Sequence, residues 1–349
     1  MTKQNQRRVT LRDVANEAGL SVMTVSYAFN NPDRVSEESL QRVLNASKVL
    51  GYAGKNPWAT SLRTGKSNSL GVVFGEHLTY AFSDPQASEF LAGVASICVE
   101  RHLGLTFIPT EGTPGDASRV SEAAVDGYVF WTTVMDDPTL GAAVRTGRPC
   151  AIQGGPEYDG IVRVRADDRA AARAMSTTSL KGTSHPVIVS FSLDHTRTPS
   201  QGYGLDITEA KLPVTQDRLQ GFREGLEAAG FNWSDVYVIA LSRNLRTEAK
   251  TTFDLLLKEA QIPVDAVLCM SDELAVGVLE TASENGRVVP NSLSVSGWDD
   301  GPAAAAEGLT TLRQSLYEQG RTCGQIAAGL TADQPQASWS VIERQSTRR

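Results

Sequence analysis

The chain is predicted to be an all-α helix-turn-helix head joined to an α/β body of two doubly wound, parallel-sheet lobes. Three observations carry that class. Leu11, Val14, Ala15 and Ala18 recur at helical spacing, Gly19 permits a turn, and Leu20, Val22, Val25 and Ala28 begin a second apolar pattern. From Ser69 onward, short apolar runs alternate with helical stretches, which is the signature of strand-helix units building parallel sheets. Charge also changes sign along the chain. Residues 1–66 hold ten Lys/Arg against five Asp/Glu, a balance of +5, whereas the remaining 283 residues hold 23 against 35, a balance of −12. A basic head on an acidic body is the layout expected when DNA binding is coupled to a second task.

In the head, Ala15 and Ala18 keep side chains short where the two helices nearly touch, and Ser21 is placed to cap the second helix. That helix is the one such motifs lay in the major groove. A third helix is predicted from Ser36, with Leu40, Val43, Leu44 and Val49 on one face and Leu50-Gly51-Tyr52 closing it. The boundaries expected are a head at 1–53, a linker and hinge helix at 54–67, and a body at 68–349. The linker helix, opened by Pro57, is too short to be stable alone.

In the body, strands are expected at 70–74, 105–109, 127–131, 150–153, 161–164, 187–191, 236–240, 266–270 and 293–296. Helices are expected at 88–102, 169–180, 216–229, 247–261 and 272–285. Nine strands over this length suit two lobes better than one wide sheet, and ligands of such folds bind outside the carboxyl ends of the strands. An apolar fraction of 41% supports a sizeable core. Cys98, Cys150, Cys269 and Cys323 form no C-x-x-C pair and, with only four His, offer no zinc pattern; no metal or cofactor is expected. No apolar run reaches membrane-spanning length and the first residues lack the apolar core of a signal peptide, so a cytoplasmic, nucleoid-associated protein is expected. Catalysis is not expected: the G-K-S at 65–67 follows no strand and lacks the earlier glycine of a phosphate loop, and S-V-S-G at 294–297 lacks the first glycine of a nucleophile elbow.

Collinear motifs then point to a family. V-T-L-R-D-V-A-N-E-A-G-L-S-V-M-T-V-S at 9–26, V-S-E-E-S-L-Q-R-V at 35–43, L-G-Y at 50–52 and P-W-A-T-S-L-R-T-G at 57–65 resemble the lac repressor (LacI) family of bacterial transcription regulators. In the body, D-G-Y-V-F from 126, R-L-Q-G-F from 218, M-S-D-E-L-A-V-G-V-L from 270, V-S-G-W-D-D ending at 300 and L-T-T-L-R-Q from 309 continue the resemblance. It implies a homodimer that binds a palindromic double-stranded operator. The body would be periplasmic-binding-protein-like and would hold a small effector between lobes built from 68–165 with 298–323 and from 166–297 with 324–349. Effector binding would change the lobe angle and so the spacing of two hinge helices.

Within that resemblance, Val22 and Met23 fall where the family reaches base edges. Both could touch only hydrocarbon such as thymine methyls, and Val22 could equally pack inward. Tyr27 stands where many relatives carry arginine, and a phenol cannot make the bidentate contact to guanine. Thr10, Ser21, Thr24, Ser26, Asn30, Ser36 and Tyr52 read as phosphate contacts, with helix capping the alternative for the serines and threonines. Leu62 is expected to wedge into a central base step from the minor groove; Ala59 keeps that surface narrow and Arg63 reaches phosphate or the groove. For the effector, Arg218 matches the family arginine that holds hydroxyls or carboxylate, and Asp299 faces the cleft in relatives. Ser271 replaces a usual asparagine beside Asp272, and Gln153 falls near a usual aspartate. Tyr80, Phe82 and Asp84 correspond to the first cleft loop, the two aromatics stacking on ligand or packing in the core, and Phe191 is a further aromatic candidate. A sugar effector is expected; the alternatives are a nucleoside or other polyol acting as co-repressor, or a solute-binding protein with no regulatory role.

Overall fold

The computed structural model describes residues 9–52, 65–75, 82–260, 262–333 and 336–348. It divides into two units, Met1–Ser67 and Asn68–Arg349. In the first unit, three helices α1 (Leu11–Ala18), α2 (Val22–Asn30) and α3 (Glu37–Leu50) close on one small core. Each starts at a hydroxyl cap. Thr10 and Asp13 form a reciprocal capping box, Ser21 accepts from the Thr24 N–H at 3.0 Å, and Ser36 accepts from the Ser39 N–H at 3.3 Å. Gly19 ends α1 at φ 62°, a left-handed conformation that costs a side chain-bearing residue energy. Arg42 of α3 donates to the freed Ala18 carbonyl at 2.7 Å, tying the third helix to the turn.

The core is Val14, Ala15, Ala18, Val25, Ala28, Val43 and Ala46. Two expectations for α3 are corrected. Leu44 is exposed and Val49 is 74% exposed, because the buried face runs through Leu40, Val43, Ala46 and Leu50, and 44 and 49 fall off that stripe.

In the second unit, the N-lobe contains β1 (Ser69–Phe74), α4 (Pro85–Arg101), β2 (Gly104–Ile108), α5 (Gly115–Ser121), β3 (Gly127–Trp131), α6 (Pro138–Arg145), β4 (Cys150–Gln153) and β5 (Val162–Val164). Its sheet has order β2-β1-β3-β4-β5 and every pair is parallel. The C-lobe contains α7 (Asp168–Ser179), β6 (Pro186–Ser190), β7 (Ser200–Tyr203), α8 (Pro213–Ala228), β8 (Tyr237–Ala240) and α9 (Arg246–Leu255), which runs into a π-helical turn. It continues with β9 (Ala266–Cys269), α10 (Asp272–Glu284) and β10 (Ser294–Ser296). Its order is β10-β9-β6-β8-β7, and β7 runs antiparallel to β8, so this sheet is not wholly parallel. S-Q-G-Y is too polar and short for a strand signal; its edge position, exposed on one side, allows that.

The chain then recrosses. Helix α11 (Pro302–Ala306) and Leu309 bury against the C-lobe, Ala304 and Leu309 joining the cluster around Phe253 and Leu293. After β11 (Thr311–Arg313), helix α12 (Leu316–Ala327) packs on the N-lobe through Leu316, Cys323 and Ile326. Strand β12 (Ser340–Ile342) returns antiparallel to β11. The segment that packs on the N-lobe is therefore later at both ends than the expected 298–323: Trp298, Ala304, Leu309 and Leu312 belong to the C-lobe clusters, while Ile326 and Ala327, expected in the C-lobe, belong to the N-lobe cluster. Gly93 of α4 and Gly320 of α12 let these helices touch backbone to backbone: a Cβ on either would collide with the other helix's carbonyls, at Tyr317 and Phe90 respectively. All four cysteines are free and buried, and burial pushes the Cys150 thiol up to about 12. Among the described residues no helix is long and apolar enough to cross a membrane.

Candidate functional site

The exposed face of α2 is the candidate DNA-reading surface. Val25 and Ala28 turn inward, leaving Met23, Tyr27 and Asn30 on one outward stripe at i, i+4, i+7. Val22 is 45% exposed and Met23 67%, so the inward alternative for Val22 does not hold. Thr10, Ser21 and Ser36 act as caps, each hydroxyl accepting a backbone N–H while remaining exposed. The Ser21 and Thr24 hydroxyls share a bond at 2.8 Å, and Asn30 Nδ2 donates to Ser26 Oγ at 3.1 Å. These pairs hold polar side chains in fixed directions along the helix. Tyr52 meets Phe29 edge-on at 5.6 Å and partial burial raises its phenol pKa, so its ring closes the head core. Ala59, Leu62 and Arg63 lie outside the described residues, as does Tyr80 of the body.

The second site is a cleft of about 760 Å³, open mouth included, walled by both lobes. Trp131 and Gln153, the last residues of β3 and β4, give the N-lobe wall together with Asp84 at the start of α4. Phe191, Arg218 and Asn244 belong to the C-lobe wall, and Asp299 and Gln314 come from the recrossing segment. Arg218 is buried and fully oriented. Its Nε donates to Asp168 at 2.8 Å, its Nη1 donates to the Met270 carbonyl at 2.5 Å, and its Cζ lies 3.9 Å from the Trp298 ring centre and 5.4 Å from that of Phe191. An ion pair and two aromatic faces thus fix which edge of the guanidinium meets a ligand.

Asp299 stands opposite in charge. Its backbone is held at φ 107°, and burial pushes its pKa up to about 7 against the lowering influence of Arg218; Asp272 and Asp84 add to the rise and a bond from Gln314 opposes it. Behind Asp299 runs a chain of amides. Gln153 Nε2 donates to Gln319 at 3.1 Å, Gln319 donates to Gln314 at 3.1 Å, and Gln314 donates to Asp299 Oδ1 at 2.8 Å. An ionised carboxylate only accepts, so it fixes the direction of all three amides and leaves the Gln153 carbonyl oxygen for the N-lobe wall.

The cleft brings together five of the candidates: Asp84, Gln153, Phe191, Arg218 and Asp299. Three described candidates are not on its lining. Phe82 is exposed and packs edge-on against Phe107 at 5.3 Å. Ser271 is buried as the cap of α10 and donates to Asn244 Oδ1 at 2.5 Å. Asp272 is buried, accepting from Thr311 Oγ1 at 2.6 Å and the Gly301 N–H at 2.8 Å; burial lifts its pKa to about 6. Asn244, held from behind by Ser271, thus puts an amide on the cleft lining. Neither it nor Trp131 was singled out from the sequence, although both follow or end strands whose carboxyl ends face the cleft.

Residues 10–54 match the lacI family of bacterial regulatory proteins, and residues 202–347 match the periplasmic binding protein-like domain. An HTH-type transcriptional regulator of Mycobacterium tuberculosis is 34% identical over 98% of this chain and 96% of its own. The chain is a member of the lacI family. The ribose operon repressor of Escherichia coli is 29% identical to this lacI-family chain, covering 89% of each. A solved LacI-family regulator from Corynebacterium glutamicum superposes with a TM-score of 0.73 at 29% identity, covering 98% of this chain and 100% of that one. As a lacI-family member the protein is a DNA-binding transcriptional regulator, with the helix-turn-helix as its DNA-binding unit and the two-lobed body as its ligand-binding unit.

Proposed function

We propose that the protein is an operator-binding repressor, working in the cytoplasm as a homodimer, whose DNA affinity is set by a sugar held between the lobes. The observation that carries the effector half is the pairing of an immobilised guanidinium, Arg218, with a carboxylate, Asp299, across one cleft. Together they suit vicinal hydroxyls, which accept from the first and donate to the second. The ribose operon repressor among the relatives supports a sugar over other polyols. Two copies are needed because one α2 reads one half-site of a palindrome.

On this reading Met23, Val22 and Tyr27 meet base edges while Thr10, Ser21, Thr24, Ser26, Asn30 and Ser36 position the head on phosphates. Leu62, in the linker, is the wedge that opens the central base step. No catalytic step is assigned to any residue of the cleft. The test is a mobility-shift titration of the full chain on a palindromic site, with bulk DNA competitor, alongside a thermal-shift series with pentoses, hexoses and nucleosides. A sugar that raises the melting temperature and changes operator affinity supports the reading; a nucleoside that does so instead replaces the sugar. No site preference in any condition sinks it. Leu62→Ala should weaken operator binding by tenfold or more while the body melts as before, and unchanged affinity removes the wedge.

A further inference from the structure

Two helix caps are joined across the cleft. Asp84 caps α4 on the N-lobe, its Oδ1 accepting from the Gln86 N–H at 2.9 Å. Ser271 caps α10 on the C-lobe, its Oγ accepting from the Leu274 N–H. Asn244, in the loop after β8, stands between them. Its Oδ1 accepts from the Ser271 hydroxyl and its Nδ2 donates to Asp84 Oδ2 at 3.5 Å. All three side chains are buried, so these contacts are made out of water, where the match of donor to acceptor counts most. Ser271, Asn244 and Asp84 thus form one donor-to-acceptor run from the first turn of a C-lobe helix to the first turn of an N-lobe helix.

The lobes touch at a second point as well. Gly154, just after β4, approaches Val214 at the start of α8, and a Cβ on Gly154 would lie 2.7 Å from Val214 Cγ2. Backbone of one lobe therefore meets a side chain of the other with no room between them. At 3.5 Å the Asn244–Asp84 bond is at the long end of its range. Each of its ends is anchored within its own lobe, Asn244 by Ser271 and Asp84 by its cap. A small change in lobe angle is then enough to make this bond or lose it. Its polarity matters as much as its length: a carboxylate only accepts, so the approach is favourable because an amide N–H, and not a second oxygen, stands opposite.

We propose that Asn244 and Asp84 are a clasp between the lobes, which favours the lobe angle seen here and through it sets operator affinity before any effector binds. This rests on the proposed control of operator affinity by the two-lobed cleft. The clasp is one bond between two elements that each pack independently, so its loss shifts a balance between lobe angles without dismantling either lobe.

The test is a donor–acceptor exchange in the full chain at pH 8, with no sugar added. N244D keeps an oxygen for the Ser271 hydroxyl but sets a carboxylate against Asp84. D84N still caps α4, but its single oxygen is needed by the Gln86 N–H, so it turns NH₂ towards the NH₂ of Asn244. D84N/N244D restores the pair in reverse, the new amide at 84 donating to the new carboxylate at 244. Chemical denaturation and mobility-shift titration on one palindromic site read the result. Each single variant should unfold at lower denaturant than wild type and shift operator affinity by roughly fivefold or more. The exchange should recover the denaturation midpoint and bring operator affinity back to within about twofold of wild type, which independent losses would not do. An exchanged chain that carries both single losses together overturns the proposal, as does operator affinity unchanged in both single variants. Where N244D does not fold, an exchanged chain that folds supports the clasp and one that does not overturns it. Failure of the effector reading has a different mark: the exchange restores stability and operator affinity, yet no pentose, hexose or nucleoside moves the melting temperature of wild type.

Discussion

Asn244 lines the cleft while Ser271, 27 residues further along the chain, holds it from behind. Ser271 is too short to reach a ligand, but its hydroxyl donates to the Asn244 amide oxygen at 2.5 Å and its own Oγ accepts from the Leu274 N–H at 3.1 Å. The amide is thereby aimed from behind. Asn244→Ala should reduce effector affinity by roughly tenfold, the worth of one or two hydrogen bonds, and Ser271→Ala by less, both read by calorimetry; equal losses would mean that Ser271 itself touches the ligand. Asp299 gives a pH prediction. Its folded pKa, about 7, lies above its ordinary value of 3.8, so the folded state holds the proton more strongly than the unfolded chain. Its contribution is fully present below pH 4 and is lost as pH rises towards 7 and beyond. Asp299→Asn should therefore raise the melting temperature at pH 8 relative to wild type more than at pH 5, in a thermal-shift series, while weakening sugar binding at both. Arg218 and Asp299 were legible because each sits in a local motif. Asn244 was not, since its importance comes from a contact with Ser271 that only the folded C-lobe creates.

Elements were most legible where they are signalled locally. The hydroxyl caps at 10, 21 and 36 and the glycine turns at 19 and 51 mark the head helices almost to the residue. Ser21→Ala should cost about 1 kcal/mol of head stability, seen as a lower melting temperature of the head transition; no change would mean that Thr24 caps in its place. The body's parallel strands were visible as short apolar runs, each within a residue or so of the expected bounds. Helices α5, α6 and α12 were not expected, because glycines interrupt α6 and α12 and α5 is polar. Those glycines are there for contact. Gly320 meets Phe90 of α4 and Gly324 meets Ile97, so what weakens the helix signal is what lets α12 press onto the N-lobe. Gly320→Ala should destabilise the body by about 1–3 kcal/mol through overpacking, and chemical denaturation of residues 68–349 with and without the substitution measures it.

For the whole molecule, the division of charge governs behaviour in salt. A head at +5 attached to a body at −12 is drawn to DNA only through its first 66 residues. Operator affinity should fall steeply as salt rises from 50 to 200 mM, by about 10³-fold or more if six phosphates are contacted; a flat salt profile in mobility-shift titrations would contradict the phosphate roles given to Ser21, Thr24 and their neighbours. Asp300 helps hold the recrossing region together, accepting from Arg313 and Arg344 at 2.6 Å each. From there the amide chain leads back to β4. Its direction depends on one charge. Should a proton settle on Asp299, whose affinity for it sits near neutrality, that carboxyl gains a hydrogen to give, and Gln314, Gln319 and Gln153 become free to reverse in sequence. The face of Gln153 turned to the pocket would then offer NH₂ where it had offered oxygen, so mild acidification would alter which ligand the far wall welcomes without moving either lobe.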